Sequence, residues 1–277
     1  MANLLQQLQT IDRRLLYGLL AAVVALTLIF PANLPLVVTP QVRGLYNAVE
    51  DIPKGKIAVL SVVWDAGTIA ENQPQTEAIM RHLFMRGVPF AVVAFAQQGA
   101  KLSDDLARKL AEECGKTYGV DWCHWGDRPS LYTFIMGMGQ NLPRAVNKDA
   151  RGTPVGRVPM MKRIKSIKDV GLVVEITPAG TLEYWIAFVQ GVYGTPLGYA
   201  PTAVMVPEGY NPLDAGQIKG MLPGLIGAGQ YEVLIKHRGF GTTASGAQSA
   251  THLLIIGLII IGNVGYLLSR RGLTSRS

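Results

Sequence analysis

The sequence predicts an α/β domain of Rossmann-like or flavodoxin-like type, a three-layer sandwich with a mostly parallel five-stranded sheet, flanked by an N-terminal and a C-terminal transmembrane helix. Three observations predict it: β-branched runs that are apolar without interruption, helical periodicity between those runs, and a long uncharged stretch near each end of the chain. Strands covered on both faces lose the alternation of half-exposed ones, and parallel neighbours need a crossover long enough to hold a helix.

Residues 15–42 contain no Asp, Glu, Lys or Arg, and neither do residues 239–269. Their apolar centres, "LLYGLLAAVVALTLIF" and "LLIIGLIIIGNVGYLL", reach with their flanks the roughly 20 residues that cross a bilayer. Spans are therefore expected at 15–36 and 251–269. No small-residue cleavage pattern follows the first, so it reads as an uncleaved anchor. Arg13 and Arg14 precede the first span, and Arg270, Arg271 and Arg276 follow the second. Basic flanks stay in the cytoplasm, which puts tails 1–14 and 270–277 inside and the central residues outside a bacterial cytoplasmic membrane.

Charged residues make up 16% of the chain, against about a quarter in ordinary soluble domains. Five of the 26 Lys and Arg and one of the 19 Asp and Glu lie outside the translocated region, leaving it near +3. The high isoelectric point thus belongs largely to the tails and is no argument for nucleic acid. The expected partners are the bilayer and either a second copy or other membrane proteins, with no nucleic acid and no cofactor.

Residues 37–55 read as a proline-punctuated, extended stalk with room for a short helix, 56–238 as the extracytoplasmic domain and 239–250 as a linker. Within the domain, "KIAVLSVVW" is the first strand, followed by a helix over 74–85 with Asn72 as cap and Pro74 in its first turn. "PFAVVAFA" is the second strand. Ser103, Asp104 and Asp105 look like the start of the next helix, which Gly115 or Gly119 ends. "VDWCHW" is the third strand, "SLYTFIMGMGQNLPRAV" a helix, "VGLVVEIT" the fourth strand, "TLEYWIAFVQGVYG" a helix and "PTAVMVP" the fifth strand. A last helix covers 213–235. Strand order is not readable.

Ligands of open α/β sheets bind at the carboxyl ends of the strands. There the turn "DAGTIAENQPQ" gathers Asp65, Thr68, Glu71, Asn72 and Gln75, while other strand ends bring Asp127 and Glu175. Such oxygens suit a hard divalent cation or a small polar ligand, though the same residue types also stabilise helix starts. The sequence does not identify a metal. Neither G-x-G-x-x-G nor G-x-x-x-x-G-K-S/T follows the first strand, which argues against a nucleotide, and no G-x-S-x-G elbow occurs. His124, close to Asp127, is the one histidine placed for hydrolytic chemistry, and it would need a serine from elsewhere. Cys114 and Cys123 allow two readings: a disulfide, which the compartment permits, or two free thiols, since helix and strand layers lie about 10 Å apart.

Eight basic residues and one acidic residue lie between Arg144 and Lys168. In "MMKRIKSIKDV" the apolar residues recur at helical spacing among basic ones, so Arg157, Lys162, Arg163 and Lys165 either meet anionic lipid or form a solvated face. Gly216, Gly220, Gly224 and Gly227 suggest a helix face for close packing against a second subunit or the sheet, unless Pro223 splits the segment. Asn263, inside the second span, is a further interface candidate. The leading expectation is a noncatalytic membrane-anchored interaction or scaffold protein. The alternatives are a binding or sensory domain for a small polar ligand or metal, and a hydrolase-type enzyme.

Overall fold

The protein is described by a computed structural model covering residues 12–30 and 35–274. Most of the N-terminal tail, residues 31–34 of the first expected span, and Arg276 lie outside the described residues. The chain divides into two compact units, Leu36–Thr242 and a second comprising Met1–Pro35 with Thr243–Ser277.

Five strands form the core of the first unit: β1 (Ile57–Val62), β2 (Phe90–Ala94), β3 (Trp122–Asp127), β4 (Val170–Thr177) and β5 (Leu197–Pro201). All pair in parallel, in the order β3-β2-β1-β4-β5. This is the Rossmann order rather than the flavodoxin order, because the chain winds outward from β1 to β3 and restarts on the other side of β1. Helices α2 (Pro40–Glu50), α3 (Ile69–Arg86), α4 (Gln97–Cys114) and α8 (Gly224–Leu234) pack with the face bearing Ala58, Leu60 and Val62. The opposite face, with Val59, Ala91, Val173 and Tyr199, is covered by α5 (Leu131–Val146) and α6 (Leu182–Trp185). Helix α6 continues through a π-helical turn, Ile186–Gln190, into Gly191–Tyr193.

Several boundaries differ from the sequence expectations, each because a tertiary contact outweighs local preference. The stalk holds α2, whose Val42, Leu45 and Val49 are fully buried in the core. Helix α3 starts at Ile69, so Asn72 and Pro74 sit inside it and Asn72 does not cap it. Helix α4 likewise starts before Ser103, whose hydroxyl donates to Gly99 O within the helix (2.7 Å). The fifth strand is "LGYAP" rather than "PTAVMVP", and Val204 is 82% exposed on the turn that follows. Of the expected helix over 213–235 only α8 and the last two residues of α7 (Val206–Asp214) are helical, and the segment between them hydrogen-bonds along the free edge of β5. Lys219 N donates to Leu197 O (2.7 Å), and Leu222 N to Tyr199 O (2.8 Å).

That segment uses its glycines inside the chain. Gly220 faces α2 so closely that a Cβ on it would stand 2.0 Å from Leu45 N, and a Cβ on Gly44 would stand 2.4 Å from Lys219 O. Close backbone approach thus occurs at Gly220, outside any helix, and α2 fills it. Gly216 adopts positive φ at a turn and Gly224 does so as the first residue of α8, and a Cβ on Gly227 would meet Leu222 and Pro223. Gly220→Ala is expected to destabilise the domain by about 2 kcal/mol through overpacking, against about 1 kcal/mol for Gly216→Ala, where only backbone strain acts. Urea unfolding of the two variants checks the order.

The basic segment forms three 3-10 turns, Val155–Arg157, Pro159–Arg163 and Ile167–Asp169, rather than one helix. Met161, Ile164 and Ile167 are buried in the domain core, while Arg157, Lys162, Arg163 and Lys165 are exposed. The apolar spacing thus serves docking on the sheet. Both cysteines are free thiols, Cys114 at the end of α4 and Cys123 buried on β3.

The expected linker is helical, the first part of α9 (Phe240–Thr274). Its stretch Phe240–Leu267 is long and apolar enough to cross a membrane, and only 6% of its most apolar window is buried. At 1.5 Å per residue those 28 residues extend about 42 Å, beyond the roughly 30 Å hydrocarbon layer. Helix α1 (Arg13–Ile29) is apolar with no buried residue, yet its 17 residues extend only about 25 Å. Among the described residues it falls short of the full span expected at 15–36.

Candidate functional site

In the order β3-β2-β1-β4-β5 the winding reverses between β1 and β4, and the carboxyl ends of these two strands define the crevice where such sheets bind ligands. The polar turn after β1 lies there, but most of it faces inward. Asn72 and Gln75 are fully buried, and Asn72 Nδ2 donates to Gln75 Oε1 (2.8 Å). Gln75 Nε2 donates to Pro201 O and Leu222 O (2.8 Å each). These amides clamp the end of β5 and the approach to α8 onto α3. Glu71 Oε2 accepts from Ala203 N (2.8 Å), joining the same loop. Asp65 is exposed and accepts from Gly67 N (2.8 Å), a tight local turn, while the Thr68 hydroxyl is shielded without a hydrogen bond.

Asp127 ends β3, the outer strand, whereas Glu175 lies on β4, three strand positions away or about 14 Å. Asp65, Asp127 and Glu175 therefore do not converge. No group of three or more His, Cys, Asp or Glu that could hold a metal ion occurs among the described residues.

What the fold does bring together is a row across three strands. Register places Ser61 beside Glu175 and Glu175 beside Tyr199, on the face covered by α5 and α6. All three are buried, with Trp185 of α6 also fully buried near them. Thr181 donates its hydroxyl to Glu175 Oε1. Glu175 Oε2, Ser61 Oγ, Trp185 Nε1 and the Tyr199 hydroxyl each lack a hydrogen-bond partner among the described residues. Burial pushes the Glu175 carboxyl up to about 7, against the opposing pull of the Thr181 hydroxyl and of Ser61 and Trp185, which lie close enough to favour its charged form without the geometry of a hydrogen bond. A carboxyl of that kind exchanges a proton near neutrality and can act as either donor or acceptor to a small polar molecule.

His124 meets a serine, Ser103, at 3.0 Å from Nε2. The polarity of the pair is opposite to that of a nucleophile and its base. Gly126 N donates to His124 Nδ1 (2.8 Å), which leaves the ring proton on Nε2, and Nε2–H therefore donates to Ser103 Oγ. The Ser103 hydroxyl in turn donates to Gly99 O (2.7 Å). Burial, then the nearby Arg128 charge, pushes His124 down to about 4, so it stays neutral and ties β3 to α4. A second buried histidine, His82, does a similar job at the other end of the sheet, joining Tyr231 OH (2.7 Å) on α8 to Glu50 (2.8 Å) on α2.

No protein-family model matches this chain, and neither a curated protein nor a solved structure is found to resemble it. The site must therefore be read from its own geometry.

Of the row, only Glu175 is an expected site residue. Ser61, Trp185 and Tyr199 were not expected, although Ser61 and Glu175 carry a signal in the sequence: each is a lone polar residue inside an otherwise apolar run, "IAVLSV" and "VGLVVEIT". Tyr199 has none, because "LGYAP" does not look like a strand. Asn263 donates Nδ2 to Ile259 O (2.9 Å) within its own exposed helix.

Proposed function

We propose that this chain is a membrane-anchored interaction domain that works by holding partners at the outer face of a bacterial cytoplasmic membrane, not by catalysis. The observation that carries the reading is where the domain fastens its two chain connections. Coming from α1, the chain is tied to α8 by Thr39, whose N and Oγ1 both donate to Gln230 Oε1 (3.2 and 2.8 Å). Leaving toward α9, Gly239 N, Gly241 N and Thr242 N donate to the Glu232 carboxylate (2.9, 2.9 and 2.7 Å). Both connections are thus held within two residues of one helix, as suits a domain whose flanking apolar helices enter the same bilayer. Arg13, Arg14, Arg270 and Arg271 support cytoplasmic ends by the positive-inside rule. Gly18, Gly257, Gly262 and Gly265, which meet no neighbour within 4 Å among the described residues, support self-association or association with other membrane helices. The neutral His124 supports a noncatalytic role, because its Nδ1 already accepts from Gly126 N and its Nε2–H donates to Ser103 Oγ.

Protease added to spheroplasts should digest the central domain, and native mass spectrometry of detergent-extracted protein should show an oligomer or a copurifying chain. Protection of the domain, or a bare monomer, would count against this proposal.

A second reading, binding of a small polar ligand at the crevice between β1 and β4, is favoured by the four unpartnered polar atoms around Glu175. Leaving such groups unpaired costs about 1–3 kcal/mol each, which a hydrogen-bonding ligand would recover. Thermal-shift screening against small polar metabolites, with Ser61→Ala as control, tests it. Silence across the panel would remove this reading.

A further inference from the structure

Outside the carboxyl end of β3, helix α5 bends back on itself. Asn141 leaves the helical conformation (φ −157°, ψ 93°), and its Oδ1 accepts from Arg144 N (3.0 Å), capping a second short helical segment. That segment folds toward the first, so that a Cβ on Gly137 would lie 3.4 Å from Ala145 Cβ. The bend encloses a groove of about 610 Å³, a size typical of small-molecule sites.

Its lining is cationic and rich in hydrogen-bonding groups: Arg128, Ser130, Thr133, Gln140 and Arg144, with Phe134 as an apolar wall. Arg128 Nη2 donates to Trp125 O, Val146 O and Lys148 O (2.6, 2.8 and 2.8 Å), and its guanidinium lies 5.5 Å from the Phe134 ring centre. Three neutral carbonyls position this cation without neutralising it. Its Nε is shielded and makes no hydrogen bond. Neither Arg128 nor Arg144 forms an ion pair among the described residues, although Asp127 is next in sequence to Arg128. By contrast, Arg81, Arg86 and Arg108 on the other face all have carboxylate partners. Ser130 precedes the first turn of α5 and makes no side-chain cap to it, its hydroxyl turning to Thr133 Oγ1 (2.8 Å) instead. The exposed Arg144 guanidinium can match carboxylate or phosphate oxygens with two parallel bonds, Arg128 adds its charge and its remaining Nη1, and hydroxyls and amides at the same wall complete that recognition.

We propose that this groove binds a small molecule bearing a carboxylate or phosphate group, held between Arg128 and Arg144 with its apolar part against Phe134. The site is separate from the Glu175 row, and it does not depend on which side of the membrane the domain occupies. The same anionic chemistry is offered by a free metabolite and by a phospholipid headgroup.

The full chain in detergent is titrated calorimetrically with citrate and with inorganic pyrophosphate, and in parallel is floated with vesicles of phosphatidylglycerol or of phosphatidylcholine. Saturable binding of a free anion identifies a soluble ligand source. Binding to phosphatidylglycerol vesicles without either free anion identifies a headgroup. In both cases Arg144→Gln is expected to weaken binding about tenfold to a hundredfold without shifting the unfolding curve. Lys165→Gln, the same charge change on the exposed basic segment, is expected to leave it unaltered. Should Arg144→Gln prove destabilised, Thr133→Val provides the second variant, with a weakening of about fivefold to tenfold. The proposal is overturned if no probe binds saturably, if the groove variants bind as tightly as the wild type, or if Lys165→Gln weakens binding as much as Arg144→Gln.

Discussion

Glu175→Gln is expected to stabilise the domain by about 3 kcal/mol above pH 7 and to leave it nearly unchanged near pH 4. The carboxyl is 1% exposed, and its folded value of about 7 lies above the ordinary 4.5. For an acid raised in this way the folded state holds the proton more tightly. The associated stability is fully present below pH 4.5 and is lost as pH rises through 7, at about 1.4 kcal/mol per pH unit across the window. Glutamine resembles the protonated carboxyl, keeps an oxygen for the Thr181 hydroxyl and cannot ionise, so it escapes that loss. Urea unfolding of the full chain in detergent at pH 4 and pH 8 measures both ends. A variant equally weakened at the two pH values would show that the carboxylate, not the neutral acid, is the form the core accommodates.

Glu232→Ala should cost about 4 kcal/mol, near the upper end for a single substitution. The carboxylate is buried and accepts from Gly239 N, Gly241 N, Thr242 N and the Thr242 hydroxyl (2.6 Å). Hydrogen bonds to a charged group contribute about 1.5–3 kcal/mol each, and removing the acceptor strands three backbone donors. Two of these donors belong to the first turn of α9, where a negative charge is also favoured by the helix dipole. Glu232→Gln keeps one acceptor oxygen and should recover about half the loss. Limited proteolysis between residues 236 and 243 offers a local readout. If that segment stays as resistant in Glu232→Ala as in the wild type, the carboxylate is not what fastens the start of α9.

Much of the fold is legible where a single physical signal dominates. Strands β1 to β4 stand out because burial on both faces demands continuous apolar runs, and Gly115 ends α4 because the left-handed cap at φ 64° suits glycine. Legibility fails where the deciding contact is distant in sequence. "LGYAP" reads poorly as a strand because Gly198 has given up its side chain to Leu45 of α2, which would lie 2.2 Å from a Cβ there. Asn72 looks like a helix cap, yet the backbone groups at the end of β5 hold its partner Gln75. Arg144 looks like one more residue in a basic run until the bend at Asn141 turns it toward Arg128.

By itself the sequence determined the layered α/β class, the alternation of strands and helices, and a C-terminal helix apolar enough for a membrane, because these depend on burial patterns local to each segment. Tertiary structure alone decided the strand order, the pairing that aligns Ser61, Glu175 and Tyr199, the burial of Gly220 against α2 and the direction of the His124 hydrogen bonds. Periodicity states which face of an element is covered. Which residue covers it is chosen by packing between segments far apart in the chain, and local pattern carries no record of that choice.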